Sequence, residues 1–276
     1  MGNKITAVIV IYEKKLSEIA SLKILREALD KKLLKELLIY DNSLETQPDE
    51  QFVYPISYIH DASNSGLAIA YNCALELAKK NDSQLLLLLD QDTELPLSYF
   101  EKLVNLSLTS DIGACLPLIE SEGRQISPVY TDQYISMRSQ SVASGLCTKP
   151  LMAINSGAAL LVQAITDIGG FNQEFPLDYL DHWLFWRLNQ SGKNYYVLNQ
   201  ALEHDLSVLD YRHVSFKRYE SIIQSETLYY TKYCRERLAM HKKHLRKRVL
   251  KQFLTVKNRD IYRRTLVEMR KLKECK

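Results

Sequence analysis

Five consecutive leucines, Leu85–Leu89, bounded by Gln84 on one side and Asp90-Gln91-Asp92 on the other, constrain this chain more than any other stretch of it. A short apolar run between polar residues reads as a strand covered on both faces, the pattern of an interior strand in a parallel sheet. Successive strand side chains point to opposite faces, so residues two apart share one side. Asp90 and Asp92 can therefore aim at one point just beyond the strand. In open α/β sheets, ligands bind past the carboxyl ends of the strands, and paired carboxylates there suit a divalent metal. The same residues also describe a solvated turn in which Asp92 caps the next segment. The neighbouring segments must decide between the two.

Those neighbours alternate between strand and helix. The β-branched run Ile5–Tyr12 precedes a helical pattern at Ile19, Leu22, Leu25 and Leu29, and Glu36–Tyr40 is a second strand ending at Asp41. A third, Ile56–His60, leads through Asn64-Ser65-Gly66 into a helix from about Leu67 to Lys80, ahead of the leucine strand. Repeated β–α units of this kind imply a parallel, three-layer α/β sandwich with one ligand-facing rim. Tyr12, Asp41, Asn64 and Asp90 all fall just after strands and so converge there. Further on, the sequence predicts a helix near Ser98–Leu106, a strand at Ile112–Ile119, a strand within Met152–Val162, a helix over Asp178–Gln190 and a last strand at Asn194–Leu198. The polar stretch from Glu120 to Pro150 lacks periodicity and is expected to form a substrate-covering loop.

Composition excludes several classes. With 276 residues, 46% of them hydrophobic and 25% charged, the chain can bury one large core, or one core and a small appendage. No apolar stretch approaches the roughly 20 residues needed to cross a bilayer, and Met1-Gly2-Asn3-Lys4 runs into the first strand without a signal-peptide core, so a cytoplasmic location is expected. Five scattered cysteines without Cys-x-x-Cys spacing argue against structural zinc or a disulfide framework.

Taken together, these segments resemble the family-2 inverting glycosyltransferases, most closely their bacterial rhamnosyltransferase-like branch. The resemblance spans roughly Ile5 to Asp210, about three quarters of the chain. It rests on the first strand, Tyr40-Asp41-Asn42-Ser43, Asn64-Ser65-Gly66-Leu67-Ala68 with Ala70-Tyr71-Asn72, Leu89-Asp90-Gln91-Asp92-Thr93, Asn155-Ser156-Gly157, Gly169-Gly170-Phe171-Asn172, and Asp178-Tyr179-Leu180-Asp181 with Arg187, all in family order. The Asp-Gln-Asp-Thr and Asp-Tyr-x-Asp forms favour the rhamnosyl branch. The resemblance implies the GT-A fold with its mainly parallel Rossmann-like sheet, a nucleotide-sugar donor and a divalent cation, Mn²⁺ or Mg²⁺. The expected reaction moves L-rhamnose from dTDP-L-rhamnose to a hydroxyl of a saccharide or lipid-linked saccharide in bacterial surface polysaccharide synthesis. A UDP-hexose is the alternative donor.

Roles follow from that resemblance and from the chemistry. A departing diphosphate carries about two negative charges, which a carboxylate-held metal offsets. Asp92 is the expected direct ligand, and Asp90 contacts the ribose or supports the metal shell. Asp41 is implied to accept from the N–H of a pyrimidine base, although an Asx turn would also place an aspartate at a strand end. Asn64 and Gly66 precede a helix, where Asn can cap and Gly admits close approach of the nucleotide. Tyr12 is expected against base or sugar, or else in the core. Asp181 aligns with the family's catalytic base when Arg187, assigned to the nucleotide-sugar site, sets the register; a first-turn carboxylate is also stabilised by the helix dipole alone. His204 corresponds to a metal-ligand histidine, here without the glycine that usually accompanies it. Glu13 stands where many relatives carry Asn, and Trp183 where a second acid is common; the latter change is expected to reshape the acceptor side rather than the donor side.

From Arg212 onward 20 basic residues face 6 acidic ones, a net +14, whereas residues 1–211 carry a net −11. The organisation expected is a catalytic domain over 1–210 and a helical, basic C-terminal extension over 211–276. From Lys242 to Lys276, 14 basic residues interleave with Leu245, Val249, Leu250, Phe253 and Leu254 at helical spacing. Such a segment suits an anionic membrane surface, making the protein peripheral at the inner face of the membrane. Packing on the acidic domain or on a second subunit, as a homo-oligomer, is the competing account. Nucleic acid is disfavoured because no aromatic platform accompanies the charge.

Two other classes compete. A haloacid-dehalogenase-type phosphatase also has a strand ending in Asp-x-Asp, with Asp90 as nucleophile. That family places its threonine two positions after the second aspartate and needs a downstream Gly-Asp; here Thr93 is adjacent and no Gly-Asp occurs. A non-catalytic adaptor that keeps the fold is the other.

Overall fold

A computed structural model describes residues 2–47, 52–132, 134–135, 139–203 and 214–274. The chain divides into two compact units, one of Met1–Asp132 with Met137–His204, the other of Gln133–Ser136 with Asp205–Lys276. His204 and the expected boundary near Asp210 lie outside the described residues.

In the first unit the elements run β1 (Ile5–Ile11), α1 (Ser21–Asp30), β2 (Glu36–Asp41), β3 (Ile56–His60), α2 (Leu67–Lys80), β4 (Leu85–Asp90), α3 (Leu97–Asn105), β5 (Ile112–Ser121), β6 (Arg124–Ser127), β7 (Val129–Tyr130), β8 (Gly145–Cys147), β9 (Leu151–Met152), β10 (Ala159–Leu161), α4 (Val162–Asp167), α5 (Leu180–Gln190) and β11 (Asn194–Glu203). The main sheet has the order β3-β2-β1-β4-β10-β5-β11-β8, with β6 paired to β5. Strands β3, β2, β1 and β4 are parallel, as are β5 and β11, while β10 runs antiparallel between β4 and β5. The sheet is therefore mixed but mainly parallel.

Alternation sorts the side chains into layers. Ile5, Ala7, Ile9 and Ile11 of β1 share a buried face with Leu37 and Ile39 of β2 and Leu85, Leu87 and Leu89 of β4, packed under α1 and α3. The opposite face is covered by α2 and α4. Leu85 through Leu88 are completely buried and Leu89 nearly so, which is why the run is apolar throughout. Register aligns the strand ends: Val10 pairs with Asp90 and Ile11 with Asp41, which in turn pairs with His60. The carboxyl ends of β1, β2 and β4 form one rim.

The strand expected within Met152–Val162 is the short β10, entered through the turn at Asn155–Gly157, with β9 ending at Met152 and α4 starting at Val162. One segment differs from the sequence reading. The stretch from Glu120 to Pro150 contains β6, β7 and β8. Strands of two to four residues are too short to leave a periodic signature.

The second unit contains α6 (Phe216–Leu228), α7 (Leu238–Thr255) and α8 (Arg259–Glu274). Tyr219, Ile223, Leu245, Val256, Ile261 and Leu272 form its core. Several polar groups inside it pair with one another: Gln252 Nε2 donates to Tyr219 Oη at 2.8 Å, Thr265 Oγ1 donates to Gln252 Oε1 at 2.7 Å, and Arg248 Nη2 meets Glu226 Oε1 at 2.7 Å. Tyr134, from the excursion at 133–136, stacks on His244 at 4.1 Å and on Tyr230 at 5.3 Å between ring centres.

Candidate active site

Three turns at the carboxyl rim interlock around Asp90. The backbone N–H of Asp90 donates to Thr93 Oγ1 at 3.0 Å, and Ser156 Oγ donates to Asp90 Oδ2 at 2.6 Å. Thr93 and Ser156 hydroxyls are themselves 3.0 Å apart and buried. Gly157, at φ +75°, lets the chain reverse there, with its N–H on Leu88 O at 2.9 Å. The antiparallel β10 is thus entered through the serine that fixes the Asp90 carboxylate. Gln91 Oε1 accepts from the Tyr12 N–H at 2.9 Å, tying the ends of β1 and β4 together. Asp92 is exposed, and so is Tyr12, at 51%.

The β2 side of the rim is more enclosed. Asp41 is fully buried; its Oδ1 accepts from the Ser43 N–H at 2.9 Å and its Oδ2 from Tyr58 Oη at 2.7 Å. A carboxylate has about four acceptor positions, so these bonds orient Asp41 without exhausting it. Glu13, in left-handed conformation at φ 49°, receives the Leu44 N–H at 3.1 Å and sends its own N–H to Ser43 Oγ at 2.8 Å.

Before α2, Asp61 organises the loop that carries Asn64 and Gly66. Its carboxylate accepts from the N–H groups of Ser63 and Ser65 and from the Ser63 hydroxyl. Hydrogen bonds from the Ser63 and Ser65 side chains, then from their backbones, hold Asp61 far below the usual carboxylate range despite a smaller opposing effect of burial. Asn64 is exposed at φ 49° and does not cap α2. Gly66 occupies the cap position at φ +92°, and Pro176 O accepts from the Leu67 N–H at 2.6 Å. A Cβ at Gly66 would lie 2.4 Å from Pro176 O, so glycine admits a protein carbonyl at this point.

That contact is one of two that fasten α2 to the segment leading into α5. Asn72 Nδ2 donates to Phe171 O at 2.8 Å and Asn72 Oδ1 accepts from Phe171 N at 2.9 Å, bridging 99 residues. Gly170, at φ +83°, passes so close that a Cβ would sit 2.6 Å from Asn72 Oδ1. Tyr71, completely buried, packs against the Phe171 ring at 5.2 Å. The pairs Tyr71-Asn72 and Gly170-Phe171 thus build one joint.

This joint brings Asp181 toward Asp90. The Tyr71 hydroxyl has no partner at close hydrogen-bond geometry, and the Asp90 carboxylate is the acceptor near it. Burial, and then the nearby charges of Asp90 and Asp181, hold its pKa well above the ordinary phenol value. The charges of both carboxylates thus act on one phenol that stays protonated. Asp181 lies in the first turn of α5, behind Tyr179, whose left-handed φ of 64° starts the helix in place of an Asp178 cap. Non-glycine residues in that region are strained and cluster at functional sites. Asp181 Oδ1 accepts from the His182 N–H at 2.7 Å and faces His182 Nδ1 at 2.9 Å. Burial works to raise the Asp181 carboxyl, but the adjacent His182 imidazole and the His182 hydrogen bonds outweigh it, and the net direction is downward. Both His182 contacts fall on Oδ1, which leaves Oδ2 as the oxygen they do not engage.

Asp90, Asp92, Tyr12 and Asp41 sit on one rim, and Asp181 joins them through Tyr71. Arg187 is exposed in the last turn of α5, about 120° around the helix from Asp181 after six residues at about 100° each. Sequence reasoning missed Tyr71, Asn72, Ser156 and His182 as site residues. The first three lie inside motifs that carry the family resemblance, and only adjacency to Asp181 marked His182.

The profile of glycosyl transferase family 2 matches residues 6–167. No curated protein matches the chain. Among solved structures, GalNAc-T7, crystallised with UDP, GalNAc and Mn²⁺, is similar at a TM-score of 0.59 and 12% identity, over 88% of this chain and 51% of its own. The mannosyltransferase PcManGT from Pyrobaculum calidifontis, in complex with GDP-Man and Mn²⁺, gives 0.52 at 13% identity, over 85% and 65%. The chain thus spans between half and two thirds of the length of these two structures. At such identities the likeness is one of fold.

Proposed function

The chain belongs to glycosyl transferase family 2, and from that premise we propose that it moves L-rhamnose from a dTDP donor to a hydroxyl of a surface saccharide, with inversion at the anomeric carbon. The observation that carries this reading is the carboxyl rim of β1, β2 and β4, which bears Asp90, fixed by Ser156, with Asp92 two residues on, and where the charges of Asp90 and Asp181 both act on Tyr71. The rhamnosyl assignment rests on the Asp90-Gln91-Asp92-Thr93 and Asp178-Tyr179-Leu180-Asp181 forms.

A divalent cation fits the donor set. Asp90, steadied by Ser156, and the exposed Asp92 supply two carboxylates. Carboxylate oxygens of this kind suit Mg²⁺ or Mn²⁺ shared with substrate phosphates. His204 is a further proposed ligand. When bound, the cation offsets the charge of the departing diphosphate.

The chain's own residues do the rest. Asp41 and Tyr12 receive the nucleotide, Asp41 accepting from the base N–H. Asp181 Oδ2 takes the proton of the acceptor hydroxyl as its oxygen bonds to C1; the C1–O bond to the diphosphate breaks and its electron pair leaves with that group. A single displacement of this kind inverts C1. His182 keeps Asp181 ionised and fixed, and Tyr71, held neutral by its surroundings, can donate to the Asp90 carboxylate without competing for the acceptor's proton.

The test is a panel of nucleotide sugars assayed for donor-dependent nucleotide release and thermal stabilisation, with Mn²⁺, Mg²⁺ or a chelator. dTDP-rhamnose should be consumed only with metal. Asp181→Asn should lower kcat by about 10²–10⁴ while nucleotide binding persists. Turnover of a UDP-hexose instead would overturn the donor assignment alone; wild-type rates in Asp181→Asn would overturn the mechanism.

A further inference from the structure

α7 has two faces of opposite use. His241, Leu245 and Gln252 lie along its buried side. At about 100° per residue, the opposite side carries Lys243, Arg246, Lys247, Leu250 and Leu254, all exposed. Leu254 is 71% and Leu250 62% exposed, two leucines one turn apart that point away from a core already filled by other residues of the same helix. Phe253 stands beside them, its ring propped by Tyr262 at 5.4 Å and by the Arg259 guanidinium at 5.0 Å. The helix holds six Lys and Arg and no acidic residue.

We propose that this outward face of α7 docks on an anionic lipid bilayer. Lying in the interfacial plane, the helix sets Lys243, Arg246, Lys247 and Lys251 among the phosphate headgroups and buries Leu250, Phe253 and Leu254 at the acyl boundary. Among the described residues no helix is long and apolar enough to cross a membrane, so the mode is surface attachment. A second copy of the chain is a poor occupant, because two such faces bring like charges together. Nucleic acid would satisfy the cations and leave the leucines in water. The proposal depends on the helix surface and not on the transferase reading, and its readout involves no turnover.

Full-length protein is sedimented with vesicles of phosphatidylcholine alone or mixed equally with phosphatidylglycerol. Wild type should pellet with the anionic vesicles, less so at high salt, and remain free with the neutral ones. Leu250→Gln with Leu254→Gln, and separately Lys243→Gln with Lys247→Gln, should each weaken partitioning by about tenfold or more. Both pairs are outside the core, so unchanged thermal melting certifies the fold. Equal binding to neutral vesicles, no binding, or wild-type partitioning by either double variant overturns the proposal. So does lipid-free self-association, or tight binding of a DNA oligonucleotide, that depends on the same residues.

Discussion

The two oxygens of Asp181 are unequal, and its reactivity follows from that. Both His182 contacts fall on Oδ1, leaving Oδ2 for an acceptor hydroxyl. His182 and its hydrogen bonds hold the carboxyl below its ordinary value of 3.8, so the proposed base stays ionised to more acidic pH than an isolated aspartate would. His182→Ala removes that support; the Asp181 pKa rises and the acid limb of the kcat/KM profile should move to higher pH. An unmoved limb would detach His182 from the base. Tyr71→Phe deletes only a hydroxyl that forms no close hydrogen bond but lies near the Asp90 and Asp181 charges, so thermal stability should hold while kcat drops about tenfold if that hydroxyl donates to Asp90 during the reaction. A loss of stability with intact kcat would make Tyr71 a packing residue. The aspartates were legible in sequence because strand ends and helix starts announce them. Tyr71, Ser156 and His182 were not, since what matters about each is its partner.

At the scale of elements, the critical contact is between α2 and the turn before α5. Gly66 lies against Pro176 O and Asn72 bridges Phe171. Gly66→Ala meets both a left-handed φ and a backbone atom at 2.4 Å. It should cost about 1–3 kcal/mol and lower kcat together with stability, read by denaturant unfolding and initial rates. Wild-type behaviour in both would show that the turn does not position Asp181. In the sheet, Leu87→Ala empties a site with no solvent access and should cost about 2–5 kcal/mol. Helix α2 and strand β4 were readable from periodicity and an apolar run. Strands β6 to β9 were not: each is only two to four residues long and forms because a neighbouring strand offers an edge.

At the scale of the whole molecule, the chain contains two folding units of opposite charge. In the C-terminal unit His241 is completely buried and its Nε2 has no partner. Burial, opposed by Glu226 and reinforced by Arg248, pushes its pKa from 6.5 down to about 4. Between those values the unfolded chain binds the proton and the folded unit does not, so stability is lost as pH falls from 6.5 toward 4, by up to about 3 kcal/mol. Tracking that unit's unfolding against pH should show this slope, and His241→Gln should flatten it. An unchanged slope would assign the acid sensitivity to the Glu226–Arg248 pair instead.

The alternation of strands and helices, the buried leucine strand and the carboxylates at strand ends were all determined by the sequence itself, because each depends on residues within a turn or a strand length of one another. The joining of Asn72 to Phe171, the influence of both Asp90 and Asp181 on the one buried Tyr71, and the inclusion of Tyr134 in the C-terminal unit were decided only by the tertiary structure. Those contacts link residues far apart in the chain, so their free energy exists only once the sheet has set the ends of β1, β4 and β10 side by side, and no local pattern records them in advance.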